Sequence, residues 1–199
     1  MSIRVFLAID LNSTVREALN LFQEQTDAIL PIKWVSSQSM HLTIKFLGDI
    51  QKDQVMILQE TLRGVVKIAS PFSLTIKGLG GFPSLQKPRI LWAGVFGEVD
   101  QLNRLVACVE LALSPLGFTQ EDRPYYPHLT LSRIKTHSRE IGKIITTSDV
   151  FKKERVFGEV PVNRLYLFQS QLTPKGAIYS KLWDVSLGGN VNISPSLVS

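Results

Sequence analysis

Two stretches of the chain repeat one pattern, "HLTIKFL" from His41 to Leu47 and "HLTLSRI" from His128 to Ile134. Each starts as an alternation of polar and apolar residues, the period of a strand with one covered face. His41, Thr43 and Lys45 share one face of the first strand, with Leu42, Ile44 and Phe46 on the other. In the second, His128, Thr130 and Ser132 oppose Leu129 and Leu131. Each strand packs its apolar face on a core and aims an imidazole and a hydroxyl the other way. If the two strands lie side by side, two imidazoles and two hydroxyls line one cleft.

The remaining segments indicate what kind of sheet holds these strands. "RVFLAID" (4–10) reads as a buried strand. Ser13 is the expected N-cap of a helix reaching about Ile29, with Val15, Ala18, Leu19, Phe22 and Ile29 at helical spacing. "IKWV" reads as a short strand. Val55, Leu58, Leu62, Val65 and Val66 predict a helix near 52–67. "FSLTIKGLG" and "RILWAGV" read as strands joined by the Gly/Pro-rich "GGFPSLQKP". Further helices are predicted over about 99–113, closed by Ser114-Pro115 and Gly117, and over 138–147. "NRLYLFQSQL" and "AIYSKLWDVSL" read as a closing hairpin around "TPKG", and 189–199 as a polar, frayed tail.

Hairpin-like neighbours outnumber strict strand–helix–strand units, which argues for an α+β protein built on antiparallel sheet. The order strand, helix, two strands occurs before and after the middle of the chain, a hint of duplication. With 199 residues and no linker-like segment, one domain over 1–188 is expected.

The chain holds only three histidines, and two of them open the matching frames. Two imidazoles suit the hydrolysis of a cyclic phosphodiester, which needs a base for water and an acid for the leaving ribose oxygen. Imidazole serves either role near neutral pH. Threonine hydroxyls two residues along, roughly 6.6 Å away on an extended strand, can donate to non-bridging phosphate oxygens. A metal site is the competing reading, but two imidazoles need a third ligand. His137, in the polar turn "KTHSRE", reads as solvent-exposed, and no Gly-x-Ser-x-Gly elbow supports a serine triad. The single cysteine, Cys108, excludes an intramolecular disulfide and reads as part of an apolar helix face.

A net charge of +5 favours an anionic partner, while the scattered lysines and arginines give no long basic arm for duplex DNA. The apolar run Val5 to Ile9 is too short for a signal-peptide core, and nothing approaches the roughly 20 apolar residues of a membrane span. A cytoplasmic location, with no membrane association and no obligate protein partner, is the plain expectation.

The paired His-x-Thr strands resemble those of the two-histidine phosphoesterase superfamily. More narrowly, "RVFLAIDL", "KWVSSQSMHLTIKFLG", "GLGGFPSLQKPRILWAGV", "RPYYPHLTLSRIK" and "LYLFQSQLTPKGAIYSKLWDVSL" resemble the RNA 2',3'-cyclic phosphodiesterases, or 2'-5' RNA ligase-like proteins. The resemblance implies two pseudo-symmetric α+β lobes, facing each other across a central cleft with one motif strand from each. It implies hydrolysis of terminal RNA 2',3'-cyclic phosphates to 2'-phosphates, with His41 as proton donor, His128 as proton acceptor, Thr43 and Thr130 assisting, and no cofactor or metal. Weak reversible 2'-5' joining of RNA ends is a further implication. Arg133 matches the family's arginine after the second motif, although strict alternation turns it away from His128; phosphate contact and a structural ion pair both remain open. Lys45, on the face of His41, is a candidate phosphate contact or a solvated lysine. Arg89 stands between sugar–phosphate contact and structure. Among Trp34, Phe82, Trp92, Tyr125 and Tyr126, a base-stacking role competes with core packing, and Phe82 and Tyr126 are the substrate-binding candidates. Two rival functions stay open: another cyclic-phosphate phosphodiesterase acting on small nucleotides, and an RNA-end-binding module without turnover.

Overall fold

Strand β1 (Ser2–Asp10) runs through the middle of the first sheet, and Val5 to Ile9 are all buried. Its unbroken apolar run follows from cover on both faces, Val5, Leu7 and Ile9 in the main core and Phe6 and Ala8 in a second cluster with Phe168. Strands β2 (His41–Gln51) and β7 (Arg164–Thr173) pair with its two edges. With β8 (Gly176–Ser186) these form an antiparallel sheet in the order β2-β1-β7-β8. The second sheet is built from β3 (Phe72–Phe82), β4 (Ile90–Gly97), β5 (His128–Arg133) and β6 (Val156–Val162), all antiparallel, in the order β5-β4-β3-β6. The computed structural model describes residues 2–188 except 153 and 175, and no side chains at 150 and 152; the expected tail over 189–199 lies outside the described residues.

The two sheets share one plan. In each, the His-x-Thr strand is the outer member, and a helix joins it to its antiparallel neighbour: α1 (Ser13–Thr26) between β1 and β2, α3 (Val99–Leu113) between β4 and β5. Strands β2 and β5 lie against each other, so the sheets meet along their motif edges. Helix α2 (Gln54–Val66) packs on α3 and β8, while α1 crosses to β6 of the second sheet. There Phe22, 1% exposed, meets Phe157 edge-on at 5.5 Å and Trp34 at 5.8 Å. Truncating such a buried aromatic typically costs about 3–5 kcal/mol, so this cluster fixes α1 across the second sheet. One continuous apolar core runs through both sheets and their helices. The chain is thus an α+β protein of two lobes.

Several boundaries depart from the sequence expectation. The N-cap of α1 is Asn12, not Ser13: its Oδ1 accepts from the Val15 amide at 3.0 Å and its Nδ2 donates to the Glu159 carbonyl at 2.8 Å. That helix stops at Thr26 rather than Ile29, because Pro31 disfavours helical backbone at Leu30 just before it. "IKWV" contributes only one bridge, between Trp34 and Ser132. Strand β6 carries Gly158 and Pro161, which conceal it in the sequence; at the sheet edge a missing donor is tolerated. Helix α3 and α4 (Ser138–Thr147) occupy the expected spans, with Gly117 in left-handed backbone (φ 88°) closing the turn after α3. The short α5 (Asp149–Lys152) has no counterpart in the sequence expectation. Among the described residues, no helix is long and apolar enough to cross a membrane.

Candidate functional site

Each motif strand carries a bulge just after its threonine. Opposite β1, Thr43 pairs with Ala8 and Lys45 with Leu7, leaving Ile44 as an extra residue. Opposite β4, Thr130 pairs with Trp92 and Ser132 with Leu91, leaving Leu131 extra. Two successive residues therefore turn inward in each strand: Ile44 and Lys45 in β2, Leu131 and Ser132 in β5, all buried. Alternation resumes one residue out of phase. Phe46 and Arg133, apolar-face positions under strict alternation, emerge on the side of the histidines. Phe46 lies 5.9 Å from Phe6, which itself packs on His41 in a tilted arrangement at 4.5 Å. Arg133 comes close enough for its charge to act on His41 from the other lobe.

The same bulge corrects the expectation for Lys45. It does not share the exposed face of His41. Its ammonium is buried, 2.6 Å from Glu110 Oε2 of α3 and 2.8 Å from the Thr119 carbonyl. Burying a charge is costly unless it is paired and hydrogen-bonded, and both conditions are met here. Lys45 is a structural ion pair and does not reach the open side.

The two imidazoles are held alike. His41 Nδ1 lies 2.9 Å from the Ser39 carbonyl and His128 Nδ1 lies 2.8 Å from the Tyr126 carbonyl, in each case two residues upstream. A carbonyl only accepts, so Nδ1 carries a hydrogen and Nε2 is the nitrogen left to work. Each ring also sits in aromatic company: His41 against Phe6, Phe168 and Tyr179, His128 edge-on to Phe82 at 5.0 Å and near Trp92. Burial pushes the pKa of His41 down from 6.5 to about 4, and the charges of Arg16 and Arg133 push the same way; the Ser39 carbonyl and Asp10 oppose them. His41 is therefore neutral at pH 7 in the unliganded protein.

That depression is a stability statement. The unfolded chain binds a proton at this position near pH 6.5, the folded chain only near pH 4. Stability is held above pH 6.5 and is lost as pH falls toward 4, by up to about 3 kcal/mol for this group. Urea unfolding at pH 7 and pH 4.5 should show the native chain losing more stability than His41→Gln by roughly that amount. An equal loss in both proteins would refute it.

Beside His41 a cavity of about 410 Å³ opens, lined among others by Asp10, Arg16, Gln38, Tyr179 and Lys181. Arg16 and Lys181 both bond to Asp10, the latter at 2.6 Å. On the other side of the site, Trp92 lies flat on β3: a Cβ at Gly80 would stand 2.0 Å from its ring, so the glycine is required by close approach. Phe82 and the exposed Tyr126 pack on Trp92 and on each other. Trp34 and Tyr125 pack against the core, and the Tyr125 hydroxyl donates to the Thr43 carbonyl at 2.7 Å. Thr43 and Thr130 are half-buried on the faces of their histidines. Arg89 is exposed, and its main chain closes the β3–β4 connection through Phe82 and Ile134. His137 is exposed, as its turn predicts. Among the described residues, no three His, Cys, Asp or Glu side chains converge.

The LigT-like phosphoesterase family model matches twice, over residues 9–92 and 97–179, and each match contains one motif at nearly the same depth. The chain belongs to the LigT-like phosphoesterase family. Similar proteins include the RNA 2',3'-cyclic phosphodiesterases of Aquifex aeolicus (32% identical; 94% of this chain, 98% of the relative) and Archaeoglobus fulgidus (34% identical; 90% and 97%). A solved structure from Thermus thermophilus superposes with TM-score 0.77 at 28% identity, covering 94% of this chain and 99% of that one. E. coli LigT shares the fold, with TM-score 0.75 at 23% identity over 95% of this chain and 100% of its own. The double match answers to the duplication hinted at by the element order.

Within this LigT-like frame, the sequence reading missed Phe6, Arg16, Phe168, Tyr179 and Lys181. They come from β1, α1, β7 and β8, far from either motif along the chain, and converge only because those strands pair beside β2.

Proposed function

We propose that this chain hydrolyses the 2',3'-cyclic phosphate at RNA 3' ends, leaving a 2'-phosphate, with His41 and His128 as the proton-transferring pair. The observation that carries the reading is the pair of like half-sites. The same His-x-Thr stands on the outer strand of each sheet, each imidazole anchored at Nδ1 with Nε2 left for chemistry. The names of the relatives supply the substrate class.

In this reading His128 Nε2 takes the proton of the attacking water and His41 Nε2 gives one to the departing ribose oxygen. Thr43 and Thr130 donate hydrogen bonds to the non-bridging oxygens, and Arg133, re-aimed by the bulge, offsets the phosphate charge. The ribose enters from the His41 side, where the cavity has the volume of a ligand site. Phe82 and Tyr126 offer a stacking face beside His128, and the exposed Arg89 is a candidate phosphate contact. A 5'-hydroxyl in place of the water gives 2'-5' joining by the same displacement. No step requires a metal, since imidazoles move the protons and hydroxyls and Arg133 meet the charge.

An oligonucleotide ending in a 2',3'-cyclic phosphate tests this with purified protein dialysed exhaustively against EDTA. Ring opening at an undiminished rate is expected. Activity lost to EDTA and restored by zinc or manganese would overturn the metal-free scheme. Turnover of 2',3'-cyclic nucleotides with the oligonucleotide untouched would move the reading to small substrates. Tight binding of the oligonucleotide without turnover would make the chain an RNA-end-binding module.

A further inference from the structure

Each motif histidine is anchored to a carbonyl in the irregular segment before its strand, and that segment is gripped by the opposite lobe. Residues 33–39 lead into β2. There the Ser132 hydroxyl donates to the Lys33 carbonyl at 2.8 Å, and the Val35 amide donates to the Leu131 carbonyl at 2.8 Å. Both partners are the bulge residues of β5. Residues 119–126 lead into β5. There Lys45 Nζ donates to the Thr119 carbonyl at 2.8 Å, and the Tyr125 hydroxyl donates to the Thr43 carbonyl at 2.7 Å. Both partners come from β2 at its bulge. Lys45 and Ser132 hold equivalent places, each four residues after its histidine and each buried.

From this reciprocity we infer that each histidine is held in its working orientation by the motif strand of the other lobe. Lys45 and Tyr125 position His128 through the Tyr126 carbonyl, and Ser132 positions His41 through the Ser39 carbonyl. The bulges serve this arrangement, because they turn a polar residue inward at the one point where the opposing segment passes. Helix α1 adds a second grip on residues 33–40, through Arg16 to the Ser37 and Met40 carbonyls and Gln23 to the Val35 carbonyl. The segment before β5 depends more fully on β2, so the Lys45 and Tyr125 side of the brace carries the larger effect. The inference rests on the proposed function only in calling these orientations the working ones.

Long-range 1H–15N NMR on the full chain tests it, with three histidines giving a sparse spectrum and exposed His137 as internal control. Tyr125→Phe and Lys45→Met should move the ring nitrogens of His128 away from the Nδ1–H form and leave those of His41 in place. Ser132→Ala should do the reverse, by a smaller amount. On a cyclic-ended oligonucleotide, Tyr125→Phe should lower kcat about tenfold with KM nearly unchanged, as a displaced reacting group does. Should Lys45→Met fail to fold around the stranded Glu110, the single-atom variants Tyr125→Phe and Ser132→Ala still decide the matter. Changes confined to the histidine on the same strand as the altered contact, or no change at either ring, would overturn the brace. The spectra need no turnover, so failure of the proposed activity and failure of the brace are read separately.

Discussion

His41→Ala and His128→Ala should each lower kcat on a cyclic phosphate by about 10²–10⁴-fold, the range for losing one acid or base from a concerted step. Both losses are expected because, in the proposed mechanism, the two proton transfers flank one phosphorus in a single displacement. The double variant should therefore fall little further than either single one, as groups acting as a unit do. Thr43→Ala and Thr130→Ala should be milder, about tenfold, since each removes one hydrogen bond to a charged oxygen and leaves proton transfer in place. His41 also fills space between Phe6, Phe168 and Tyr179. Circular dichroism and unfolding curves should accompany its variant to separate a packing defect from lost chemistry. Retention of more than about a tenth of native kcat by either folded alanine variant would remove that histidine from the mechanism.

Much of this site can be read from the chain before any coordinates, because its two main groups sit on strands whose alternation is plain. The helix at 99–113 is legible from its terminating Ser-Pro and Gly, while the one at 138–147 is a weaker signal in the sequence although it forms over the expected span. What alternation cannot reveal is a bulge. Strict alternation turns Lys45 outward with His41, yet it is buried against Glu110; it turns Arg133 away, yet that side chain emerges beside the site. A single extra residue, Ile44 or Leu131, reverses the residues that follow it (in β2 as far as a second irregularity at Leu47), and neither extra residue carries a signal of its own. In β2 polarity even misleads, since Lys45 outward and Phe46 inward are what strict alternation and hydropathy both favour, and both are reversed; in β5 only the charge of Arg133 at an inward position argues against strict alternation. The aromatic wall of His41 is hidden differently. Phe6 lies within a strand apolar throughout, and Phe168 and Tyr179 lie in the closing hairpin, so only the sheet order brings them to β2.

The product of 2',3'-cyclic AMP should be almost entirely 2'-AMP. In-line displacement places the water and the leaving oxygen on opposite sides of phosphorus, which suits histidines on the edge strands of two different lobes. The outcome depends on which histidine protonates O3'. An acid must hold a proton when the bond breaks, and His41 in the unliganded protein is pushed to about 4, which disfavours that state. An anionic phosphate alters the balance. One unit charge at about 4 Å contributes roughly 4 kcal/mol at an effective dielectric of 20. A bound phosphate therefore raises the pKa of His41, which takes up a proton together with the anion it will protonate. If the nucleoside occupies the neighbouring cavity of about 410 Å³, the departing ribose oxygen faces His41 and the water faces His128, and the 2'-phosphate product requires that oxygen to be O3'. Phosphorus NMR of the product decides the point, and calorimetric titration with 2'-AMP in buffers of different ionisation enthalpy measures the coupled proton. A product that is mainly 3'-AMP would exchange the two roles while keeping both histidines in the reaction.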